Sequence, residues 1–187
     1  MGEYAADSSW LVKTKGKINF LELFCSAAVA SETCAEGGLS VGEPIDILGH
    51  DLSGEKGQGY VWHLITTQKP DVVFIGIPCT PWSHMQNIND PSEVERKREE
   101  ALPLLKFSRD VAKHQLSTGK WFLIENPATS AIWKTRQFRE ITALQGVSWD
   151  SAELCMHGLR AQSRNCPTRR VCPSSTTLTQ EFWLHCS

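Results

Sequence analysis

The chain has 187 residues, 19 Lys and Arg against 21 Asp and Glu, and a formal net charge of -2. That length suits one domain with a core of its own and leaves no room for a second large module. With a pI near 6.3 there is no global basic surface for nonspecific nucleic-acid binding, so any such contact has to use a local patch.

No apolar stretch approaches bilayer-spanning length, and Met1-Gly2-Glu3-Tyr4 lacks the charged and apolar regions of a secretory signal. The expectation is a soluble, intracellular protein without membrane partners. Seven cysteines with no CxxC pair read as reduced thiols. Cys25 and Cys34 lie in or beside apolar segments and read as small packing residues. Cys166, Cys172, His185 and Cys186 could together ligate zinc but lack the paired spacing of zinc modules, so scattered structural thiols are preferred and no metal is expected.

Short apolar runs alternate with amphipathic stretches, which predicts a mostly parallel, doubly wound α/β sheet with helices on both faces. Ile18 to Phe24 reads as the first strand. A helix from Ser26 to about Glu36 follows and ends at Gly37-Gly38. Pro44 to Leu48 reads as a short second strand, Gly54 to Gly59 as a loop, and Tyr60 to Gln68 as a helix. Asp71 to Ile77 is the clearest strand. Ser92-Glu93-Val94-Glu95 has capping-box spacing, so a long helix is predicted to start there and run to about Ser117, with Pro103 bending or breaking it. Its charge run, Glu93 to Glu100, holds four glutamates and reads as a solvated face rather than a DNA-binding one. Trp121 to Glu125 reads as a strand, Ser130 to Leu144 as a helix and Gly146 to Trp149 as a strand. Beyond Asp150 the pattern fades into irregular or short β structure. Residues 1–16 therefore read as an extension, 17–150 as the core and 151–187 as an irregular C-terminal segment.

Two apolar runs deliver chemistry at their ends. Asp71 to Gly76 leads into Ile77-Pro78-Cys79-Thr80-Pro81-Trp82-Ser83, which displays a cysteine on a proline-stiffened loop. Trp121-Phe122-Leu123-Ile124 leads into Glu125-Asn126-Pro127. In α/β proteins such strand ends are where ligands bind. A strand-terminal cysteine is more often an inert packing thiol, and Asn-Pro after a strand is a common turn; the two sites gain weight from standing together in this order.

In their order and wording these segments resemble the C5-cytosine DNA methyltransferase family, over roughly Ile18 to Arg170. Leu21-Glu22-Leu23-Phe24-Cys25-Ser26-Ala27-Ala28 is similar to the strand and turn that hold S-adenosylmethionine there. Pro78-Cys79 is similar to the nucleophile motif and Glu125-Asn126 to the acid motif. Gly158-Leu159 with Gln162-Ser163-Arg164 looks like a weak arginine motif. The Pro-Cys-Thr-x-Trp-Ser wording is also close to short methyltransferase-like segments inside some retroelement-type polyproteins.

The resemblance implies S-adenosylmethionine as cofactor and nucleic acid as partner, with DNA favoured over RNA. Cytosine C5 is a poor nucleophile, so a thiolate, Cys79, would add first at C6, while Glu125 would hydrogen-bond N3. Arg164 would help orient that pair. Phe24, Ser26, Ala28 and Pro78 would line the cofactor site; Pro78, Ser83, Asn126 and Pro127 would contact the target base or hold its loop. The base would have to be flipped or single-stranded. Asp46 could accept from the cofactor ribose or be an exposed turn residue, and Asp51 could approach the adenine amine or cap its local turn. Where the family has glycines this chain has Ser26 and Ala28, which crowd the cofactor loop. It also stops at Ser187, short of the family's target-recognition region. A noncatalytic module that keeps the fold, and a cysteine hydrolase using His84 or His50 as base, are the alternatives.

Overall fold

The structure, a computed structural model, describes residues 16–25, 27–46, 49–153 and, as a backbone strand, 174–180. Five strands form one sheet in the order β1 (Phe20–Leu23), β2 (Val72–Gly76), β3 (Trp121–Pro127), β5 (Ser174–Gln180), β4 (Val147–Glu153). β1, β2 and β3 are parallel, whereas β5 runs antiparallel between β3 and β4. The fold is thus α/β with a three-stranded parallel core, and the antiparallel β5 departs from the mostly parallel expectation.

The parallel register explains the burial. Leu21, Val73 and Phe122 are aligned across the three strands, as are Leu23, Ile75 and Ile124. All six are 0–2% exposed. With them cluster Val61 and Ile65 from α2 (Glu55–Gln68) and Leu105, Phe107 and Val111 from α3 (Pro91–Ser117). Residues on the other face, Val72, Phe74, Leu123 and Glu125, are half-buried. On that face Glu22 takes its hydrogen bonds from Ser31 in α1 (Val29–Glu36).

Phe20 and Leu23 make parallel bridges to Val41 and Ile45 as well as pairing with β2. The chain therefore steps outward on one side of β1 and then crosses back to β2 on the other. Strand order reverses across β1, and in open α/β sheets the crevice at such a reversal, beyond the carboxyl ends of the strands, is where ligands bind. The bridged segment replaces the strand expected at Pro44 to Leu48; Ile47 and Leu48 lie outside the described residues.

Other boundaries also moved. α2 starts at Glu55, so the glycine-rich stretch expected as a loop is mostly helix. A Cβ on Gly57 would lie 2.1 Å from the Asp51 carbonyl oxygen, so this glycine serves close backbone approach rather than a turn. α3 starts at Pro91, with the Asp90 carboxylate capping it by accepting from the Ser92 N–H at 2.8 Å; this cap precedes the Ser92 box. The helix continues through Pro103 without a break. The helix expected from Ser130 to Leu144 divides into a 3-10 turn, Ala131–Lys134, and α4, Arg136–Thr142.

At the amino edge of the sheet Asp71 ties the three parallel strands together. It accepts from Asn19 at 2.9 Å, pairs with Lys17 at 3.1 Å and bonds Lys120. The Lys120 hydrogen bond is the largest influence holding its carboxyl down at about 2. No helix among the described residues is long and apolar enough to cross a membrane.

Candidate active site

Gly76, the last residue of β2, is the register partner of Glu125 near the end of β3. Three residues beyond Gly76 stands Cys79, half-buried, so both strands deliver their candidate groups to one edge of the sheet. A buried side chain joins the two exits: Asn126, 0% exposed, donates from Nδ2 to the Ile77 carbonyl at 2.7 Å. The loop carrying the cysteine cannot shift against the strand carrying the carboxyl without breaking that bond.

After Cys79 the chain tightens into a 3-10 turn, Thr80–Trp82, in which the Trp82 N–H donates to the Cys79 carbonyl at 2.9 Å. Trp82 then plugs into the core and is 5% exposed. Gln86 donates from Nε2 to the Thr80 carbonyl at 2.9 Å, closing the loop from its far side. Ser83 is occupied in capping the next turn, accepting from the Met85 N–H at 3.2 Å. Pro78 is exposed and Pro127 half-buried. The Pro127 carbonyl accepts from the Trp133 indole at 2.9 Å and so anchors the exit of β3.

Burial raises the Glu125 carboxyl above its ordinary value, because its charged form loses water that nothing replaces. Such a group keeps its proton to higher pH and can donate a hydrogen bond. Two polar atoms here are buried without a partner among the described residues, Asn126 Oδ1 and Trp82 Nε1. Buried polar atoms are normally satisfied, so each calls for a ligand or water.

The second half of the site lies at the end of β1. Phe24 and Ala28 both adopt left-handed conformations, with φ 62 and 51. That region favours glycine, so Ala28 occupies a glycine backbone while carrying a methyl group. Ala28 is also the cap position of α1 and has no side chain able to cap it. Glu22 does so from the strand: its buried carboxylate accepts from the Ser31 N–H at 2.8 Å and the Ser31 hydroxyl at 2.6 Å. A carboxylate at a helix N-terminus is favourably placed. Sequence reasoning passed over Glu22 as a site residue; the available signal was a carboxylate inside the apolar run Phe20-Leu21-Glu22-Leu23-Phe24.

Cys25 is buried, and its thiol is pushed up to about 12, first by burial and then by the charges of Glu22 and Asp46. It is an inert packing thiol, as expected. Cys34 is half-buried and also raised, chiefly by burial. Asp46 is half-buried beside the β1 end, and its carbonyl accepts from Gly49 and His50. Asp51 is exposed and accepts from the Ser53 N–H and hydroxyl at 2.9 and 2.7 Å, capping its local turn.

His50 stacks on Tyr60 at 4.1 Å, and neither it nor His84 hydrogen-bonds Cys79. Among the described residues, neither histidine expected as the base of a cysteine hydrolase is engaged with the thiol. Ser26, Arg164 and the group Cys166, Cys172, His185 and Cys186 lie outside the described residues.

In comparisons with known proteins, no protein-family model matches this sequence and no curated protein does either.

Proposed function

We propose that the protein is a divergent cytosine-C5 methyltransferase of doubly wound, Rossmann-like architecture. In this reading it uses S-adenosylmethionine and acts on DNA, with Cys79 as nucleophile and Glu125 as acid. The observation that carries the reading is the Asn126 to Ile77 hydrogen bond of 2.7 Å, which couples the cysteine loop after β2 to the carboxyl strand β3. Packing alone does not call for a half-buried thiol and a desolvated carboxyl at two coupled strand ends.

The residues at the β1 end suit the cofactor in backbone conformation and charge, with the Ala28 methyl group the one misfit. Phe24 and Ala28 keep a glycine-type backbone, and the carboxylates Glu22 and Asp46, close enough to act on Cys25, suit a cationic sulfonium better than an anion. When bound, the cofactor supplies an electrophilic methyl group. The Cys79 thiolate adds to cytosine C6, and its electron pair makes C5 nucleophilic. Protonated Glu125 donates to N3 and stabilises the charge that develops on the ring. C5 would take the methyl group as that group's bond to the sulfonium sulfur breaks and leaves a neutral thioether. Water then takes the C5 proton, that electron pair re-forms the C5–C6 double bond, and the C6–S bond breaks to regenerate the Cys79 thiolate. Asn126 holds the two groups in register throughout.

Calorimetric titration of the purified protein with S-adenosylmethionine tests the reading before any substrate is known. Saturable binding at one site is expected, with weaker binding for Asp46→Asn. No heat of binding from folded protein would leave a noncatalytic module that has kept the fold.

A further inference from the structure

Arg98 stands in the charge run of α3 that sequence reasoning assigned to solvent, yet it behaves unlike its neighbours. Arg96 pairs with Glu93 and Glu100, and Lys97 pairs with Glu93. Arg98 forms no ion pair among the described residues; Glu95, one turn earlier, and adjacent Glu99 leave it unmatched. It turns instead to the cysteine loop. Its Nε–H donates to the Pro81 carbonyl at 3.2 Å, and its guanidinium carbon lies 5.7 Å from the centre of the buried Trp82 ring.

An arginine held this way has its plane fixed by the aromatic face and one edge fixed by the carbonyl. Among the described residues, the four N–H donors of both terminal amino groups meet no protein acceptor. A permanent charge held on Pro81 and Trp82, two and three residues after Cys79, is a ready partner for an anion that presents two oxygens to a bidentate guanidinium.

We propose that Arg98 binds a backbone phosphate of the nucleic-acid strand beside the target nucleotide, and so fixes the strand's register against Cys79. This rests on the methyltransferase reading for its ligand class. Its location follows from the unengaged terminal amino groups and from the cysteine loop that the Nε–H holds. With a formal net charge of -2 the molecule has no global excess of positive charge, so contact with nucleic acid uses local cations such as this one.

The test is fluorescence anisotropy of a labelled, cytosine-containing DNA oligonucleotide, titrated with wild type, Arg98→Gln and Arg98→Lys at several salt concentrations. Arg98→Gln is expected to bind about tenfold more weakly at low salt, and the slope of log affinity against log salt is expected to fall by about one. Arg98→Lys retains the charge and should retain the slope. If Arg98→Gln keeps the wild-type slope, or both variants weaken equally with the slope unchanged, Arg98 only staples the loop and the proposal fails. If Arg98→Gln does not fold, Arg98→Met, which keeps an apolar stem against Trp82 but no charge, takes its place with the same expected loss of slope. Absence of DNA binding by the folded wild type would instead overturn the nucleic-acid reading itself.

Discussion

Glu125 is held where its charge is disfavoured, and that has a consequence for stability as well as for chemistry. Its folded value lies above the ordinary 4.5, with burial as the cause. As pH rises, the unfolded chain ionises first, so this residue's contribution to stability falls between the ordinary value and the raised one, then levels off. Glu125→Gln removes the penalty while keeping size and hydrogen bonding. It should melt with the wild type near pH 4 and above it near pH 8, in thermal scans across about that range. Methyl transfer should be lost at every pH. A variant less stable than wild type at the alkaline end would show that the carboxylate is stabilised by a partner, contrary to the desolvated acid described here. Cys79 and Glu125 were legible because each ends a strongly apolar run. Glu22 was not, since a lone carboxylate in such a run gives no sign that Ser31 will meet it.

The loop from Phe24 to α1 has glycine geometry without its glycine. A left-handed alanine costs about 1–2 kcal/mol, and replacing it by glycine gives back part of this through the freer unfolded chain. Ala28→Gly should therefore stabilise the protein by several tenths to about 1 kcal/mol, raising the melting temperature by about 1–3 °C. It should also tighten S-adenosylmethionine binding in the same titration, most clearly when combined with Ser26→Gly. A destabilised Ala28→Gly protein would mean that the methyl group packs usefully and that the loop is not a crowded cofactor cradle. Nothing in the letters Ala27-Ala28 announces a left-handed backbone. Other elements were misread for similar local reasons. α2 begins inside a glycine-rich stretch because Gly57 is needed against the Asp51 carbonyl, and α3 takes the earlier of two overlapping caps, Asp90.

At the scale of the whole molecule, the sheet is braced at one edge and open to chemistry at the other. Asp71 ties together the entrances of β1, β2 and β3 through Asn19, Lys17 and Lys120, while Asn126 ties the exits of β2 and β3 at the candidate site. The parallel core was readable because Val73, Ile75, Phe122 and Ile124 recur at strand spacing. The antiparallel β5 was not, because Ser174 to Gln180 draws on the β-propensity of threonine and has little apolar content to mark it. Sheet order is a long-range property, and only the pairing in space reveals that the chain reverses across β1, the strand next to the one that leads to Cys79.

Covalent capture tests the central claim most directly. Fluorine at C5 cannot leave as a proton does, so DNA containing 5-fluorocytosine should arrest the reaction with the C6–S bond intact. Incubated with this DNA and S-adenosylmethionine, the wild type should give a complex that survives denaturing electrophoresis, and Cys79→Ala should give none. An adduct that persists in Cys79→Ala, or no adduct from wild-type protein saturated with cofactor and DNA, would contradict Cys79 as the nucleophile of a cytosine methyltransferase.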